Sequence, residues 1–364
     1  MKKILYFIQL PPPLYGVTVI NSFVYNNIII NKELKKDLLE IRFSSNLEEL
    51  GKMNIQKMLT LLSLNFKLIR KILFFKPDYI YFTVVPTGFG FYRDLFFISI
   101  MKLFRIKIIY HLHGKGIKEN SNSKFKKKLY EFAFKNSNII HLSKGLLEKD
   151  FNHLSLGKCK KFYLENFVPK SKIIKNNNID NCINLLFLAN LQASKGLFIL
   201  LKAMIILSKN NTLFKLTIIG NFRDSETEKI SHDIIKKNNL EKFIFFVGAK
   251  YDIEKINYFN KADLFIYPTL KDAFPLVLLE AFSYAIPVIS TNEGAIDEII
   301  DNDNNGYIVE KNDVNALVEK ISYLNENRDK LNLFSKNAYA SYEKRFKKET
   351  FETNMKNILE IIDK

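Results

Sequence analysis

Short runs of consecutive apolar residues alternate along this chain with longer stretches in which apolar positions recur every three or four residues. The first run, KILYFIQL at 3–10, has no polar face and stops at Pro11, Pro12 and Pro13. It reads as a strand covered on both sides, followed by a glycine-bearing turn and a helix. DYIYFTVV at 78–85, KIIYHLHG at 107–114 and NIIHLS at 138–143 repeat the theme. Strands that alternate with helices in this way form a parallel sheet, because each parallel neighbour needs a crossover connection. A polar, Asn-rich segment without periodicity, KSKIIKNNNIDN at 170–181, interrupts the series and marks a domain boundary. A second series follows: INLLFLAN at 183–190, KLTIIG at 215–220, FIFFVG at 243–248, DLFIYP at 263–268 and PVIST at 287–291. Helical stretches such as GLFILLKAMIILSKN and DSETEKISHDIIKKNN lie between them. The pattern predicts an α/β chain of two Rossmann-like domains, 1–175 and 176–364.

Composition supports two cores. The chain has 364 residues, beyond the roughly 250 at which a single core stops growing. Hydrophobic residues at 47% and charged residues at 26% exclude global disorder. Cys159 and Cys182 stand far apart, with no pairing for zinc and no disulfide framework, which points to a reducing compartment. The best candidate for a membrane span, LFFISIMKLFRIKII, is broken by Lys102 and Arg105. The opening MKKILYFIQLPPP lacks a small-residue cleavage site and reads as a strand rather than a signal peptide, so a cytoplasmic protein is expected. The net charge of +17 is unevenly placed. Residues 1–175 hold 31 Lys and Arg against 12 Asp and Glu, a balance of +19, and the remainder holds 24 against 26. The first half therefore suits an anionic partner, either nucleic acid or a membrane surface. Within it, residues 54–76 and 124–135 mix Leu, Ile and Phe with Lys and Arg, as basic amphipathic helices do, or as core-facing helices with their lysines in solvent do.

In open parallel sheets ligands bind beyond the carboxyl ends of the strands, so those ends hold the candidate chemistry. The richest segment is YPTLKDAFPLVLLEAFSYAIPVIST, 267–291. A strand ends near Pro268, a loop follows, and Pro275 is placed to open a helix running through Glu280 to about Tyr284. A helix start offers free N–H groups and a positive dipole end to an anion such as a diphosphate. Asp272 and Glu280 are eight positions apart, one in the loop and one in the second helical turn, a separation that lets two carboxylates bracket a nucleotide-sugar. Ionised carboxylates only accept hydrogen bonds, and sugar and ribose hydroxyls donate them. Glu280 sits inside the apolar run PLVLLEAF, where an unpaired carboxylate is costly. That favours a function over an ordinary exposed helix position.

Asp272 through Glu280 resembles the E-x7-E signature of family 4 retaining glycosyltransferases. LPPPLYGVTVIN at 10–21 is similar to that family's Gly-containing first loop, HLHG at 111–114 to its His-Gly strand end, and LENFVP at 164–169 to its interdomain Asn. ANLQASKGLFILLKA resembles the G-R-x-x-x-x-K-G diphosphate segment, and EGAIDEII at 293–300 the closing G-x-x-E-I element. These short motifs gain specificity from their common order and spacing over nearly the whole chain. The resemblance implies the GT-B fold, with two Rossmann-like domains whose parallel sheets face across a cleft. The N-terminal domain would bind the acceptor, the C-terminal domain the nucleotide-sugar, and the last helix would pack back toward the N-terminal domain. The resemblance further implies donor binding by Gly16, Asn166, Asn190, Lys195, Gly196, Gly220 and Glu280, and by the segment Ala273, Phe274, Pro275 and Leu276. It implies catalytic roles for His113, Lys195 and Asp272. The chain departs from the family twice: Asp272 stands where a Glu is usual, and Asn190 where an Arg is usual. Lys195 is thereby left as the main side-chain cation for the diphosphate, with Gly196 letting the backbone come close.

The implied reaction moves a hexosyl unit from a nucleotide-sugar, a UDP-sugar being favoured, to a hydroxyl of a lipid-linked glycan with the anomeric configuration kept. Such a reaction serves bacterial capsule, O-antigen or lipopolysaccharide synthesis. Lys195 and helix N–H groups would stabilise charge on the departing diphosphate. No DxD-like acidic pair stands at a strand end, so neither a metal nor another cofactor is expected. A sugar-nucleotide epimerase of the same fold is an alternative that product analysis without acceptor would expose. A non-catalytic nucleotide-sugar-binding module is another, which donor hydrolysis would distinguish. A nucleic-acid-binding protein would account for the basic half, but RNP-like aromatics, zinc spacing and a helix-turn-helix signature are missing from the sequence. The expected location is the inner face of the cytoplasmic membrane, with Lys124, Lys126, Lys127 and Lys128 meeting anionic lipid and Phe125, Tyr130 and Phe132 inserting shallowly.

Overall fold

A computed structural model describes residues 1–13, 15–43, 55–173 and 182–363. Most of the expected boundary segment, 174–181, lies outside them, and so does the 175/176 junction. By its contacts the chain divides into two compact units, one made of Met1–Asn166 with Phe351–Lys364 and the other of Phe167–Thr350.

The first unit contains β1 (Lys2–Ile8), β2 (Leu34–Glu40), β3 (Tyr79–Val84), β4 (Lys107–Leu112), β5 (Asn138–His141) and β6 (Lys160–Tyr163). They form one parallel sheet in the order β2-β1-β3-β4-β5-β6. All six positions of β3 are buried, as expected of a largely apolar strand covered on both faces, and its one polar residue, Thr83, donates to Asn21 Oδ1 at 2.8 Å. One face packs under three helices, Ile55–Phe75, Gly88–Leu103 and Lys124–Phe134. There Leu64, Leu68, Phe97 and Phe134 share a core with Phe7, Phe82 and Tyr110 of the strands. The Lys124–Phe134 helix starts where Ser123 accepts a hydrogen bond from the Lys126 N–H at 3.2 Å. The final helix, Lys348–Asp363, joins this unit through Phe351 against Phe23, through Asp363 at 3.1 Å from Lys2, and through the Ile361 carbonyl, which accepts from Lys160 Nζ at 2.7 Å.

The second unit contains β7 (Ile183–Leu188), β8 (Phe214–Ile219), β9 (Ile244–Phe246), β10 (Leu264–Tyr267), β11 (Val288–Thr291) and β12 (Gly306–Val309). Its sheet is also parallel, in the order β12-β11-β10-β7-β8-β9. Both units are thus Rossmann-like α/β layers, as the alternation predicts. Three strands were not legible in the hydrophobic pattern: β2, β6 and β12. Each is an edge strand: LKKDLLE and KKFY carry charges, as strands with one open side can, whereas GYIV is apolar and largely buried but only four residues long. Among the described residues no helix is long and apolar enough to cross a membrane.

Candidate functional site

The carboxyl end of β10 is built from three local decisions. A single turn of tighter helix, Ala193–Lys195, ends on Gly196, whose backbone is left-handed at φ 82°. A Cβ at that position would lie 2.0 Å from the Pro268 carbonyl oxygen, so only glycine lets this turn touch the end of β10. The Ser194 carbonyl then accepts hydrogen bonds from the N–H groups of Leu270 and Lys271, at 2.9 and 3.2 Å.

This docking places Lys195 on Asp272. The Lys195 Nζ lies 2.6 Å from Asp272 Oδ2 and 3.1 Å from the Lys271 carbonyl. Tyr267, the last residue of β10, donates its hydroxyl to the same Oδ2 at 2.8 Å, and the Ala273 N–H reaches Oδ1 at 2.9 Å. Burial and the adjacent Asp272 carboxylate push the Tyr267 phenol well above its ordinary pKa, so it remains a neutral donor. The Lys195 and Asp272 side chains keep 19% and 18% of their surface exposed, enough for an anion to reach the pair. Behind the loop, Glu293 is 4% exposed; it accepts the Asp272 N–H at 3.1 Å and forms an ion pair with Lys311.

The following helix spans Leu276–Ser283, and Pro275 is its N-cap rather than its first helical residue. Pro275 provides no side-chain cap, so the first-turn N–H groups remain a place for an anion. Ala273 is half-buried and Phe274 is buried, its ring 6.4 Å from Phe346. Glu280 lies on that helix with Oε1 2.7 Å from Lys255 Nζ, and its Oε2 is buried without a hydrogen-bond partner. Among the hydrogen bonds of the described residues, Glu280 does not join the Lys195–Asp272 pair. Asn190 is exposed just beyond β7. Gly220, at φ 143°, lets the ends of β7 and β8 meet, since a Cβ there would sit 1.8 Å from the Ala189 carbonyl oxygen.

In the first unit, Gly16 is exposed at the start of the helix Gly16–Asn26, where Thr18 Oγ1 accepts the Tyr15 N–H at 3.1 Å. His113 follows β4, its ring centroid 4.1 Å from that of His111 and tilted 43° to it. His111 is fully buried and shares a short hydrogen bond with the Tyr81 hydroxyl through Nδ1. Both ring nitrogens of His113 are buried without a partner. Desolvation, with a smaller contribution from His141, holds its pKa down at about 3, so the ring is neutral near pH 7. A neutral imidazole can donate to or accept from a hydroxyl, but it cannot supply charge. The loop bearing it is pinned by Asp150, which is 1% exposed and accepts the Gly116 and Lys118 N–H groups at 3.1 and 3.3 Å. Asn166 is buried, with its Oδ1 unpartnered.

Buried polar atoms normally find partners inside the protein, and those that do not are candidates for a ligand. His113, Asn166 and Glu280, each selected from sequence, all carry such atoms. Tyr267, Lys255, Glu293, Lys311 and Asp150 were not selected. Tyr267 resembles any other strand aromatic, and the rest act through partners distant in sequence. Among the described residues no group of three or more His, Cys, Asp or Glu is placed to hold a metal ion.

Two solved structures superpose on both units over the whole chain. Sucrose-phosphate synthase from Thermosynechococcus elongatus does so with a TM-score of 0.77 at 14% identity, covering 100% of this chain and 99% of that one. Anabaena Alr3699/HepE in complex with UDP-glucose gives 0.71 at 18% identity, covering 100% of both chains. The fold is GT-B. Within this GT-B chain, residues 169–341 match the family described as glycosyl transferases group 1, a segment that includes Lys195, Asp272 and Glu280. The capsular polysaccharide biosynthesis glycosyltransferase CapM of Staphylococcus aureus is 30% identical over 165 residues, covering 45% of this chain and 42% of that protein. The chain thus spans less than half the length of this curated relative.

Proposed function

We propose that this GT-B chain is a family 4 glycosyltransferase. It moves a hexosyl unit from a UDP-sugar to a hydroxyl of a lipid-linked glycan, retains the anomeric configuration, needs no metal, and serves bacterial surface polysaccharide synthesis from the inner face of the cytoplasmic membrane. The observation that carries this reading is the Lys195–Asp272 pair beside the uncapped start of the Leu276–Ser283 helix. The family match over that segment supports it, as do the names of CapM and of the UDP-glucose complex.

In this reading the donor diphosphate lies on the helix N–H groups and competes with Asp272 for the Lys195 ammonium. A phosphate carries more charge than a carboxylate and offers more acceptor oxygens, so it draws Lys195 away. Asp272 is then free to accept from a donor-sugar hydroxyl, still oriented by Tyr267 and by Glu293 behind it. Glu280 takes the nucleoside end, its orphan Oε2 accepting a ribose hydroxyl. As the glycosidic bond breaks, negative charge grows on the diphosphate, where Lys195 and the helix dipole already stand.

Incubating the protein with UDP-, GDP-, ADP- and CMP-sugars, and measuring nucleotide release with and without Lys195→Ala, tests the reading. Slow release from one donor class that disappears in the variant is expected. Release from none, or release unaffected by the substitution, would defeat it.

A further inference from the structure

The first unit carries an apolar surface that the donor site does not use. The helices Ile55–Phe75, Gly88–Leu103 and Lys124–Phe134 turn their inner sides to one shared core. Their outer sides also carry large hydrophobic residues at a seven-residue repeat. Leu59, Phe66 and Leu73 stand 61%, 69% and 51% exposed on the first helix, and Phe89, Phe96 and Leu103 stand 66%, 60% and 79% exposed on the second. Phe125 and Phe132 continue the pattern on the third. A seven-residue step keeps side chains on one helix face, so each helix shows a second apolar stripe besides the one it buries. Scattered exposed hydrophobics need no explanation, but aligned stripes on three neighbouring helices mark an interaction surface. Tyr130, expected from the sequence to insert outward, belongs instead to the core: it stacks on Phe91 at 4.1 Å and donates to the Pro86 carbonyl at 2.9 Å.

The charges around these stripes select the partner. The helix Ile55–Phe75 holds four Lys and Arg and no Asp or Glu. On Gly88–Leu103 the lone acid, Asp94, is fully buried against Arg93. Lys124–Phe134 has four lysines against Glu131. Lys67, Arg70, Lys124 and Lys128 are exposed beside the apolar rows. A second copy of this chain docked on the same face would bring like charges together. We infer that this three-helix face docks the protein on an anionic lipid bilayer, the aromatic and aliphatic rows entering the acyl boundary and the lysines and arginines meeting the headgroups. The inference rests on the proposed lipid-linked acceptor for its purpose, and on the exposed rows and their charge for its content.

Co-sedimentation of the full chain with phosphatidylcholine vesicles, with and without phosphatidylglycerol, tests it at low and high salt. The wild type is expected to bind the phosphatidylglycerol vesicles and to weaken as salt rises. The triple variant Phe66→Ser, Phe96→Ser, Phe125→Ser should bind at least about tenfold less at either salt. The triple variant Lys67→Gln, Arg70→Gln, Lys128→Gln should lose about tenfold at low salt and little at high salt. Nucleoside diphosphate binding should be unchanged in both variants, which reports on folding and separates failure of the docking surface from failure of the donor site. The inference is overturned if the wild type ignores anionic vesicles or binds both compositions equally. It is equally overturned if the phenylalanine variant binds as the wild type does, or if those substitutions instead dissociate a dimer or release RNA.

Discussion

Substituting Asp272 by Asn should tighten the binding of a nucleoside diphosphate while damaging turnover. The reason is competition: Lys195 is held at 2.6 Å by Asp272, and a diphosphate must displace that carboxylate. An exposed ion pair is worth roughly 0.2–1 kcal/mol. This one is about four-fifths buried on both sides, and Tyr267 and the Ala273 N–H orient the carboxylate, so about 1–1.5 kcal/mol is a fair value. Removing the competing charge should therefore improve diphosphate affinity about five- to twelvefold. Lys195→Ala removes the phosphate contact itself, worth about 1.5–3 kcal/mol, and should weaken binding about 12- to 150-fold. In the double variant the gain from Asp272→Asn should vanish, because the lysine over which the two anions compete is gone. Isothermal titration of the four proteins with the best-bound nucleoside diphosphate closes this cycle. Weaker binding by Asp272→Asn, or a gain that persists without Lys195, would refute the competition.

Gly196→Ala should destabilise the second unit by about 3 kcal/mol or more, since a left-handed backbone costs an L residue about 1–2 kcal/mol and the added Cβ meets the Pro268 oxygen at 2.0 Å; an effect below about 1 kcal/mol in urea unfolding would contradict the docking of the turn on β10. His113 binds a proton less readily folded than unfolded, with its pKa held at about 3 against 6.5, so the unfolded chain carries more protons in that window and stability must fall as pH drops through it, by up to about 1.4 kcal/mol per pH unit from this one group. His113→Gln should flatten the slope of unfolding free energy between pH 6 and pH 4, roughly the middle of that window, and an unchanged slope would show that the ring is not desolvated. Glu280→Gln should weaken a nucleoside diphosphate but leave inorganic pyrophosphate unaffected; equal weakening of both would mean that Glu280 does not face the nucleoside end.

Most strands legible in sequence are those covered on both faces; β9, read from FIFFVG, is an edge strand with Phe245 exposed. KILYFI, YIYFTV and LFIY announce themselves because all but Lys3 and Thr83 are apolar, and the structure buries nearly all of them. β2 and β6 escape because an edge strand is under no such constraint, and β12 because its apolar run, GYIV, is only four residues long. The site divides along similar lines. Asp272 and Glu280 stand out through spacing within one strand–loop–helix unit, a local property, and Lys195 and Gly196 through the resemblance of ANLQASKGLFILLKA to a known diphosphate segment. Lys255 reaches Glu280 across 25 positions and Lys311 reaches Glu293 across 18, so no local rule pairs them. Tyr130 was misjudged because its helix carries apolar residues on two faces, and periodicity alone did not say which face the core would take. Asp150 looked like one more acid on a mixed helix, although its burial beside Gly116 fixes the loop that carries His113.

In the proposed function the second unit holds a nucleotide-sugar through Lys195 and the start of the Leu276–Ser283 helix. Thermal unfolding of the wild type and of Lys195→Ala, each against UDP, GDP, ADP and CMP and their sugar conjugates, tests it most directly. At a ligand concentration about 100 times the wild-type Kd, binding adds about 2.7 kcal/mol to stability, so one nucleotide class should raise the wild-type Tm by several degrees, and the variant, bound about 12- to 150-fold more weakly, should keep about half of that stabilisation or less at the same concentration. No shift with any nucleotide, or an equal shift in both proteins, would contradict the account.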